Sequence, residues 1–326
     1  MTFSKSRIKT LSRLGSCGAY GLALMEMPDQ DDRMVALTAD LCHYSGLDHF
    51  YQKYPDYFYN VGIAEQNLIG IAGGLASEGF HPYVSTYASF ACTRALDQVK
   101  VNMGYMKMPV RLFGLTSGLS TGILGATHMC LSDIAIMTSI PGLTVISPAD
   151  GLEIVKTINA LINFNKPVYV RLTGSLNAPI LYNADYEFQI GKAIKLRSGD
   201  DITIYATGSI LTTGLMVADM LEKDGIHCTV FNMHTLKPID TSAIECARCS
   251  KLIVTIEEHS IIGGLGDIVA NYVATHSGFP LLKKIGIRDY YAHATSYGYL
   301  LNEYGLTADK IYENIKTAWE KINRCN

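Results

Sequence analysis

One carboxylate stands out in the sequence because of the residues around it. Glu65 is the only charged residue in the run NVGIAEQNLIGIAGGLA, which covers residues 60–76. The apolar members of this run predict burial; they are Ile63, Leu68, Ile69, Ile71 and Leu75. A buried carboxylate costs desolvation free energy unless it is protonated or paired. We therefore interpret Glu65 either as a helix-start residue that accepts hydrogen bonds from backbone amides, or as a proton-holding group of a functional site.

A second candidate for chemistry is the pair Cys246 and Cys249 in ECARCSK. Two cysteines at this spacing occur in redox sites and in zinc sites. No second such pair and no matching pair of histidines accompanies them in the sequence. We therefore interpret them mainly as two cysteines that share a helix surface by chance and have no metal or redox function. Most of the other cysteines lie in apolar segments, where a free thiol behaves as a small hydrophobe, and reduced thiols fit a cytoplasmic chain.

The elements that would position these residues alternate between strand and helix. Short apolar or β-branched runs predict strands at residues 33–41, 81–89, 109–117, 143–150 and 167–173. Helical stretches lie between them, including residues 93–108 and 151–165. Continuous apolar strands that are separated by helices predict a mostly parallel sheet covered by helices on both faces.

The alternation of strands and helices is interrupted over residues 174–190, which we interpret as a connecting segment. It resumes after residue 190. Further strands are predicted at residues 201–208, 228–236, 251–259 and 283–289. A chain of 326 residues also exceeds the usual size of one domain. The fold class is therefore predicted as α/β, with two domains at residues 1–190 and 191–326, each built on a mostly parallel sheet covered by helices.

Charge and hydropathy exclude several classes of partner. The formal net charge is −3, and no run of Lys or Arg is long enough to neutralise many phosphates. No stretch reaches the roughly 18 apolar residues that a membrane span needs. The sequence therefore predicts a cytoplasmic protein that is held neither to nucleic acid nor to a membrane.

Several short motifs occur in the order found in one enzyme family. GIAEQN, STYASF (85–90), GATH (125–128) and SIPGLTVISPADG (139–151) together resemble the pyrimidine-binding domain of the transketolase family of thiamine-diphosphate enzymes. TLKPID (235–240), TIEEHSIIGGLGDIVA (255–270) and the segment 285–311 resemble its C-terminal domain. Nearly the whole chain is covered. No stretch resembles the family's diphosphate-binding domain, whose GDG motif helps to hold Mg²⁺, and the nearest run, SGDDIT (198–203), lacks the second glycine.

The resemblance implies roles for individual residues. In this family the residue matching Glu65 hydrogen-bonds the aminopyrimidine ring of thiamine diphosphate and promotes formation of the carbon nucleophile. Phe90 matches the aromatic residue that stacks on that ring, and Tyr87 matches one that lines the same pocket. His128 matches a histidine beside the reacting oxygens of the substrate, where a pKa near neutrality suits proton transfer. Arg13 and Arg171 match two arginines that bind a substrate phosphate.

Two positions depart from the family pattern. Thr116 stands where transketolases usually have a histidine, and Leu124 stands where they usually have an aspartate. Both of the usual residues meet sugar hydroxyls. Tyr44 and Ser45 also stand where a small hydroxyl residue near the phosphate is usual. These departures imply that activation of the cofactor is retained, whereas recognition of the sugar substrate differs from that of other family members. The alternative is that neighbouring residues supply the missing contacts and that the substrates are conventional.

These observations predict the smaller subunit of a split transketolase that moves a two-carbon ketol unit from a ketose to an aldose. The resemblance implies a partner subunit with the diphosphate-binding domain and Mg²⁺ ligands, most simply in an α2β2 assembly. Gly70, Gly73 and Gly74 are expected at a subunit interface. The alternatives are the β subunit of a 2-oxoacid dehydrogenase first component, a related carboligase, and a non-catalytic regulatory subunit.

Overall fold

A computed structural model describes residues 4–324, so residues 1–3 and 325–326, including Cys325, lie outside the description. Two sheets form the framework, one of seven strands and one of five. Most neighbouring strands are parallel, and helices cover both sheets, which confirms the predicted α/β class. Only the pairs at two sheet edges are antiparallel within the described residues.

The strands, in chain order, are β1 (Met34–Thr38), β2 (Phe58–Asn60), β3 (His81–Tyr87), β4 (Arg111–Leu115), β5 (Thr144–Ile146), β6 (Val168–Arg171), β7 (Ile194–Arg197), β8 (Ile202–Ala206), β9 (Cys228–Asn232), β10 (Thr235–Lys237), β11 (Leu252–Ser260) and β12 (Leu281–Ile287). The α-helices are α1 (Lys5–Leu24), α2 (Asp48–Lys53), α3 (Glu65–Ser77), α4 (Leu96–Gln98), α5 (Asp133–Ser139), α6 (Gly151–Leu161), α7 (Leu211–Lys223), α8 (Thr241–Glu245), α9 (Leu265–Thr275), α10 (Tyr297–Glu303) and α11 (Ala308–Arg324). The first sheet has the order β10-β5-β6-β4-β3-β1-β2, and the second has the order β12-β11-β8-β9-β7.

The central strands of the first sheet bring the candidate residues to one edge. β3, β4 and β6 are parallel neighbours whose residues are almost entirely buried, as continuous apolar runs predict. Parallel strands end at the same edge of a sheet, which is where α/β proteins place ligands. Tyr87 is the last residue of β3, Thr116 follows β4, and Arg171 is the last residue of β6.

Every predicted strand overlaps an observed strand, but the helical prediction for residues 93–108 needs correction. That segment consists of π-helical turns at Phe90–Arg94 and Val99–Tyr105, with the short helix α4 between them. The wider hydrogen-bonding pattern leaves this segment less regular than an α-helix. Residues 174–190 contain neither helix nor strand, as predicted. Cys246 and Cys249 lie exposed in a 3₁₀ turn.

The two halves of the chain share buried structure. β10 comes from the second half but pairs with β5 of the first sheet. The hydrophobic core on one face of that sheet continues into the second half through side chains such as Phe231 and Val269. Over residues 4–324, no helix is both long enough and apolar enough to cross a membrane.

Candidate functional site

Glu65 begins α3 and is buried there, with 3% of its side chain exposed. Its Oε1 accepts a hydrogen bond from Arg94 Nη1 at 2.9 Å. The other oxygen, Oε2, has no hydrogen-bond partner among residues 4–324, and the carboxylate lines an open cavity of about 470 Å³. No backbone amide among these residues donates to the carboxylate, which disfavours the helix-start interpretation. The run itself is only partly buried, because Ile63 is exposed.

Arg94 links Glu65 to an aromatic cluster. Its guanidinium lies over the ring of Phe90, at 4.1 Å from the ring centroid, and about half of the Arg94 side chain is exposed. This contact adds a cation–π attraction to the ion pair. Sequence reasoning missed Arg94. The available signal was its position four residues after Phe90, a spacing that places two helical residues on one face.

Three of the predicted residues meet directly in this cluster. The ring of His128 lies 5.3 Å from that of Phe90 and 5.7 Å from that of Tyr87, in edge-on orientation. Phe90 and Tyr87 are themselves 5.7 Å apart. Burial raises the pKa of Tyr87, so its hydroxyl stays protonated. Glu65, Arg94, Phe90, His128 and Tyr87 thus form one continuous group of contacts.

The group is extended by Tyr44, whose exposed ring lies 6.2 Å from that of Tyr87. Tyr44 lines a groove that runs past Leu14, Cys17 and Leu176. Arg13 is exposed immediately before Leu14 and forms no ion pair with any described residue. Its side chain is exposed, and no contact within residues 4–324 joins it to the aromatic cluster.

Thr116 and Leu124, the two positions that depart from the family pattern, lie on one segment, residues 116–130, which we call the site loop. Thr116 has a φ of +50°, which is strained for a β-branched residue, and its buried Oγ1 has no partner in the described part of the chain. Leu124 lies in a short 3₁₀ turn with nearly half of its side chain exposed. His128 lies on the same loop, where its Nδ1 is 3.0 Å from Thr127 Oγ1.

Arg171, like Arg13, has no contact with the aromatic cluster among the described residues. Its side chain is fully buried, and its Nε bonds both oxygens of Asp133, at 3.1 and 2.9 Å. Its Nη2 donates to the backbone carbonyl of Glu258 at 2.6 Å. A guanidinium held in this way joins the two halves of the chain. The expected contact with a substrate phosphate is therefore not supported, because the side chain is fully buried and its Nε and Nη2 are already bonded to Asp133 and to the Glu258 carbonyl.

Comparison with known proteins agrees with this architecture. Residues 16–178 match the family model described as transketolase, pyrimidine binding domain, and residues 191–311 match that described as transketolase, C-terminal domain. The 6-deoxy-6-sulfo-D-fructose transketolase subunit SqwH of Clostridium sp. (strain MSTE9) is 37% identical over 304 residues, 93% of each chain. An apulose-4-phosphate transketolase subunit of Phocaeicola vulgatus is 37% identical over 92% of this chain and 95% of its own.

A solved structure described as a split gene transketolase, inactive beta4 tetramer, superposes with a TM-score of 0.83 at 36% identity. The superposition covers 93% of this chain and 97% of the other. With two family models in order and relatives matched over almost their full length, the chain belongs to the transketolase family.

Proposed function

We propose that this chain is the subunit of a split, thiamine-diphosphate-dependent transketolase that carries the pyrimidine-binding domain, placed at residues 1–190, and the C-terminal domain, placed at residues 191–326. The assembled enzyme transfers a two-carbon ketol unit from a ketose to an aldose. The observation that carries the proposal is the buried carboxylate of Glu65, connected through Arg94 to Phe90 and His128. Relatives that match nearly the whole chain are named as transketolase subunits.

The residues present fit thiamine diphosphate. Glu65 keeps one oxygen free of partners among residues 4–324 at an open cavity, and a half-buried aromatic ring, Phe90, is joined to it through Arg94. When bound, the cofactor supplies a carbon nucleophile that attacks the ketose. Glu65 would hold a proton at Oε2 for exchange with the cofactor. Phe90 and Tyr87 would orient the pyrimidine ring, and Arg94 would fix the Glu65 carboxylate.

His128 would move a proton to or from a substrate oxygen. Its ring is partly exposed, and its edge-on packing against Phe90 and Tyr87 fixes the plane of the imidazole. An oriented imidazole within reach of a neighbouring ligand is suited to general acid–base catalysis at neutral pH. We assign no metal ligand to this chain and place the Mg²⁺ site on the partner subunit.

The substrate we propose is a modified sugar. The two related subunits are named for a sulfonated deoxysugar and for apulose 4-phosphate, neither of which is an ordinary pentose or hexose phosphate. In this chain, Leu124 presents an apolar side chain where the family usually has an aspartate. Arg13 is the available guanidinium for an anionic group on the sugar, since Arg171 is paired with Asp133.

The partner subunit would dock on the exposed face of α3, in an α2β2 assembly. Gly70 and Gly74 lie on this face, and a Cβ atom built on either one meets no described atom within 4 Å. Small residues of this kind allow another backbone to approach closely. Gly73 instead faces inward and packs on Asn102, so it serves the fold of the chain itself.

Reconstitution tests the proposal. The purified chain alone should bind thiamine diphosphate weakly and show no transketolase activity, whereas mixing it with a subunit that has a GDG-type diphosphate-binding domain should restore both. The natural probe is the product of an adjacent reading frame, with the same mixture lacking Mg²⁺ as the control. Micromolar cofactor binding together with ketol transfer by the isolated chain would refute the split-subunit assignment.

A further inference from the structure

The site loop belongs to the first half of the chain, but a residue of the second half holds it. Glu258, in β11, has 1% of its surface exposed. Its Oε1 accepts a hydrogen bond from the backbone N–H of Leu119 at 2.7 Å, and its Oε2 accepts one from the hydroxyl of Tyr297 at 2.6 Å. One carboxylate therefore ties the loop to the start of α10.

The approach of the loop to this carboxylate depends on a glycine. Gly118 has a φ of +76°, and a Cβ atom added there would lie 2.3 Å from Glu258 Oε1. No side chain fits at that distance, and the left-handed backbone also favours glycine. Leu119 can therefore reach Glu258 only because residue 118 lacks a side chain.

β11 holds both ends of the loop. The backbone N–H of Ser260 donates to the carbonyl of Leu131 at 2.8 Å, just beyond the loop's last residue. Gly118 and Cys130 exchange backbone hydrogen bonds of 2.8 and 3.2 Å, which close the base of the loop. The residues between these anchors include Leu124 and His128, and within the described chain neither has a hydrogen bond of its own to the second half.

Burying Glu258 is costly for folding. Burial raises the pKa of this carboxyl, which indicates the penalty for removing its charge from water. The positive guanidinium of Arg171, bonded to the Glu258 carbonyl, offsets part of that penalty. Replacement of buried ionic groups by apolar residues is often neutral or stabilising, so stability alone does not account for a charge at this position.

We propose that Glu258 is a positioning residue, which fixes the site loop so that His128 and Leu124 meet the sugar in the correct place. The C-terminal domain would thus act in substrate recognition through the loop without touching the substrate. The part of this inference that concerns sugar recognition rests on the proposed function, whereas the ordering of the loop does not.

The test uses three variants of the full chain and a matched control. Glu258→Leu fills similar space but removes both hydrogen bonds, and Tyr297→Phe removes only one. Glu258→Gln retains both, because its amide oxygen accepts from Leu119 and its NH₂ group donates to the Tyr297 hydroxyl. The control is Glu153→Leu, since Glu153 is also fully buried but bonds Ala149, Asn232 and Tyr186, away from the site loop.

Hydrogen exchange of backbone amides is measured on the isolated chain by mass spectrometry. Amides of residues 117–130 should exchange at least about tenfold faster in Glu258→Leu and measurably faster in Tyr297→Phe, with Glu258→Gln close to wild type. Exchange over residues 90–105 should not change, and Glu153→Leu should leave the site loop unaffected. If Glu258→Leu does not fold, Tyr297→Phe, which removes only one hydroxyl, tests whether the Glu258 hydrogen bonds order the site loop.

The reconstituted enzyme gives the second readout. Glu258→Leu and Tyr297→Phe should lower kcat/KM for the sugar by at least about tenfold and fivefold, with the affinity for thiamine diphosphate unchanged and activity retained by Glu258→Gln. Unchanged exchange of the loop in both disrupting variants, or an equal rise along the whole chain, overturns the proposal. If amide exchange of the site loop rises in the variants as expected but the wild-type assembly shows no ketol transfer, the proposed function is wrong. The role of Glu258 in ordering the loop is then still supported.

Discussion

At the scale of residues, the ion pair between Glu65 and Arg94 explains how a charge is tolerated at the start of α3. Glu65 is almost completely buried, while Arg94 reaches solvent and also covers Phe90. Such a pair is weak evidence for stability, because desolvation offsets much of the Coulomb attraction. A buried carboxylate with one oxygen free of described partners is consistent with the proton role proposed for Glu65.

Glu65→Gln should lower kcat of the assembled enzyme by at least about 100-fold, the usual scale for removing a proton-transfer group. Glutamine keeps the length of the side chain and an oxygen for Arg94, so folding should survive. The measurement is the exchange of the thiazolium C2 proton of bound cofactor, followed by NMR. The control is Glu78→Gln, at the exposed C-cap of the same helix. A wild-type exchange rate in Glu65→Gln would return Glu65 to a helix-start role.

Leu124→Asp tests the altered sugar. An apolar side chain penalises a sugar hydroxyl that loses water without gaining a partner, by roughly 1–3 kcal/mol or about 5- to 150-fold in kcat/KM. The physiological sugar is therefore expected to be deoxygenated, branched or substituted at or near C2. Leu124→Asp should improve xylulose 5-phosphate and ribose 5-phosphate in a panel assay, with Ile123→Asp, next to it and also exposed, as the control. Ordinary efficiency with these sugars in the wild type would contradict the idea.

The sequence was informative for residues whose own neighbours reveal their environment, and uninformative for those whose partners come from far away. Glu65 could be singled out because a charge in an apolar run needs an explanation. The ion pair of Arg171 with Asp133 joins residues 38 positions apart. No local sequence pattern predicts a pair at that separation. The phosphate role expected for Arg171 came from a motif and did not include this competing partner.

At the scale of elements, α3 presents two different faces. Its inner face packs Leu68, Ile69 and Gly73 into the core, whereas Gly70 and Gly74 are exposed. Glycine in the middle of a helix costs up to about 1 kcal/mol relative to alanine. Two such residues on an exposed face are unfavourable for the isolated chain, which fits a face that another backbone covers.

Gly70→Gln and Gly74→Gln should have opposite effects on the chain and on the assembly. Each should raise the free energy of unfolding of the isolated chain by about 0.5–1 kcal/mol, because glutamine is the better helix former and meets no clash with the described residues. Each should weaken association with the partner subunit at least about tenfold. Chemical denaturation and sedimentation measure the two effects, with Met216→Gln on the exposed surface of α7 as the control. Unchanged association would place the interface elsewhere.

Strands were predicted correctly where both faces of the strand are buried, because such a strand has a continuous run of apolar residues. β1, β3, β4 and β6 are of this kind. The short edge strands β2 and β7 were missed because they are partly exposed and carry no such run. The π-helical turns before and after α4 were also missed, because apolar spacing alone does not distinguish such a turn from an α-helix.

At the scale of the whole molecule, a buried histidine at the junction links folding to pH. The ring of His234 packs against that of Phe188 in the connecting segment, with centroids 4.5 Å apart and the ring planes tilted by 35°. Its Nδ1 lies 2.9 Å from Thr235 Oγ1, and its Nε2 has no hydrogen-bond partner in the chain from residue 4 to residue 324. Burial lowers the pKa of His234 from 6.5 to about 4.

This lowered pKa makes the protein acid-sensitive. Between pH 6.5 and pH 4 the unfolded chain binds a proton at His234 that the folded chain does not, so the stability present above pH 6.5 is lost as the pH falls. The full effect is about 3 kcal/mol for a shift of this size. His234→Phe should keep the packing against Phe188. Between pH 7 and pH 4.5 its free energy of unfolding should fall by roughly 2–3 kcal/mol less than that of the wild type. Denaturant titrations at the two pH values measure this, and parallel losses would rule out His234.

The edge strand β10 limits the positions at which this protein can be truncated or recombined with a relative. Thr235–Lys237 come from the second half but supply the outer partner of β5. Truncation after residue 190 would remove the partners of the β5 backbone groups that face β10, while the pairing with β6 would remain. An open edge of this kind invites association with other chains. A chimera that joins the first half of one such subunit to the second half of another must therefore match the grafted strand to its host sheet. Crossover points for recombination libraries belong outside the stretch between β5 and β10.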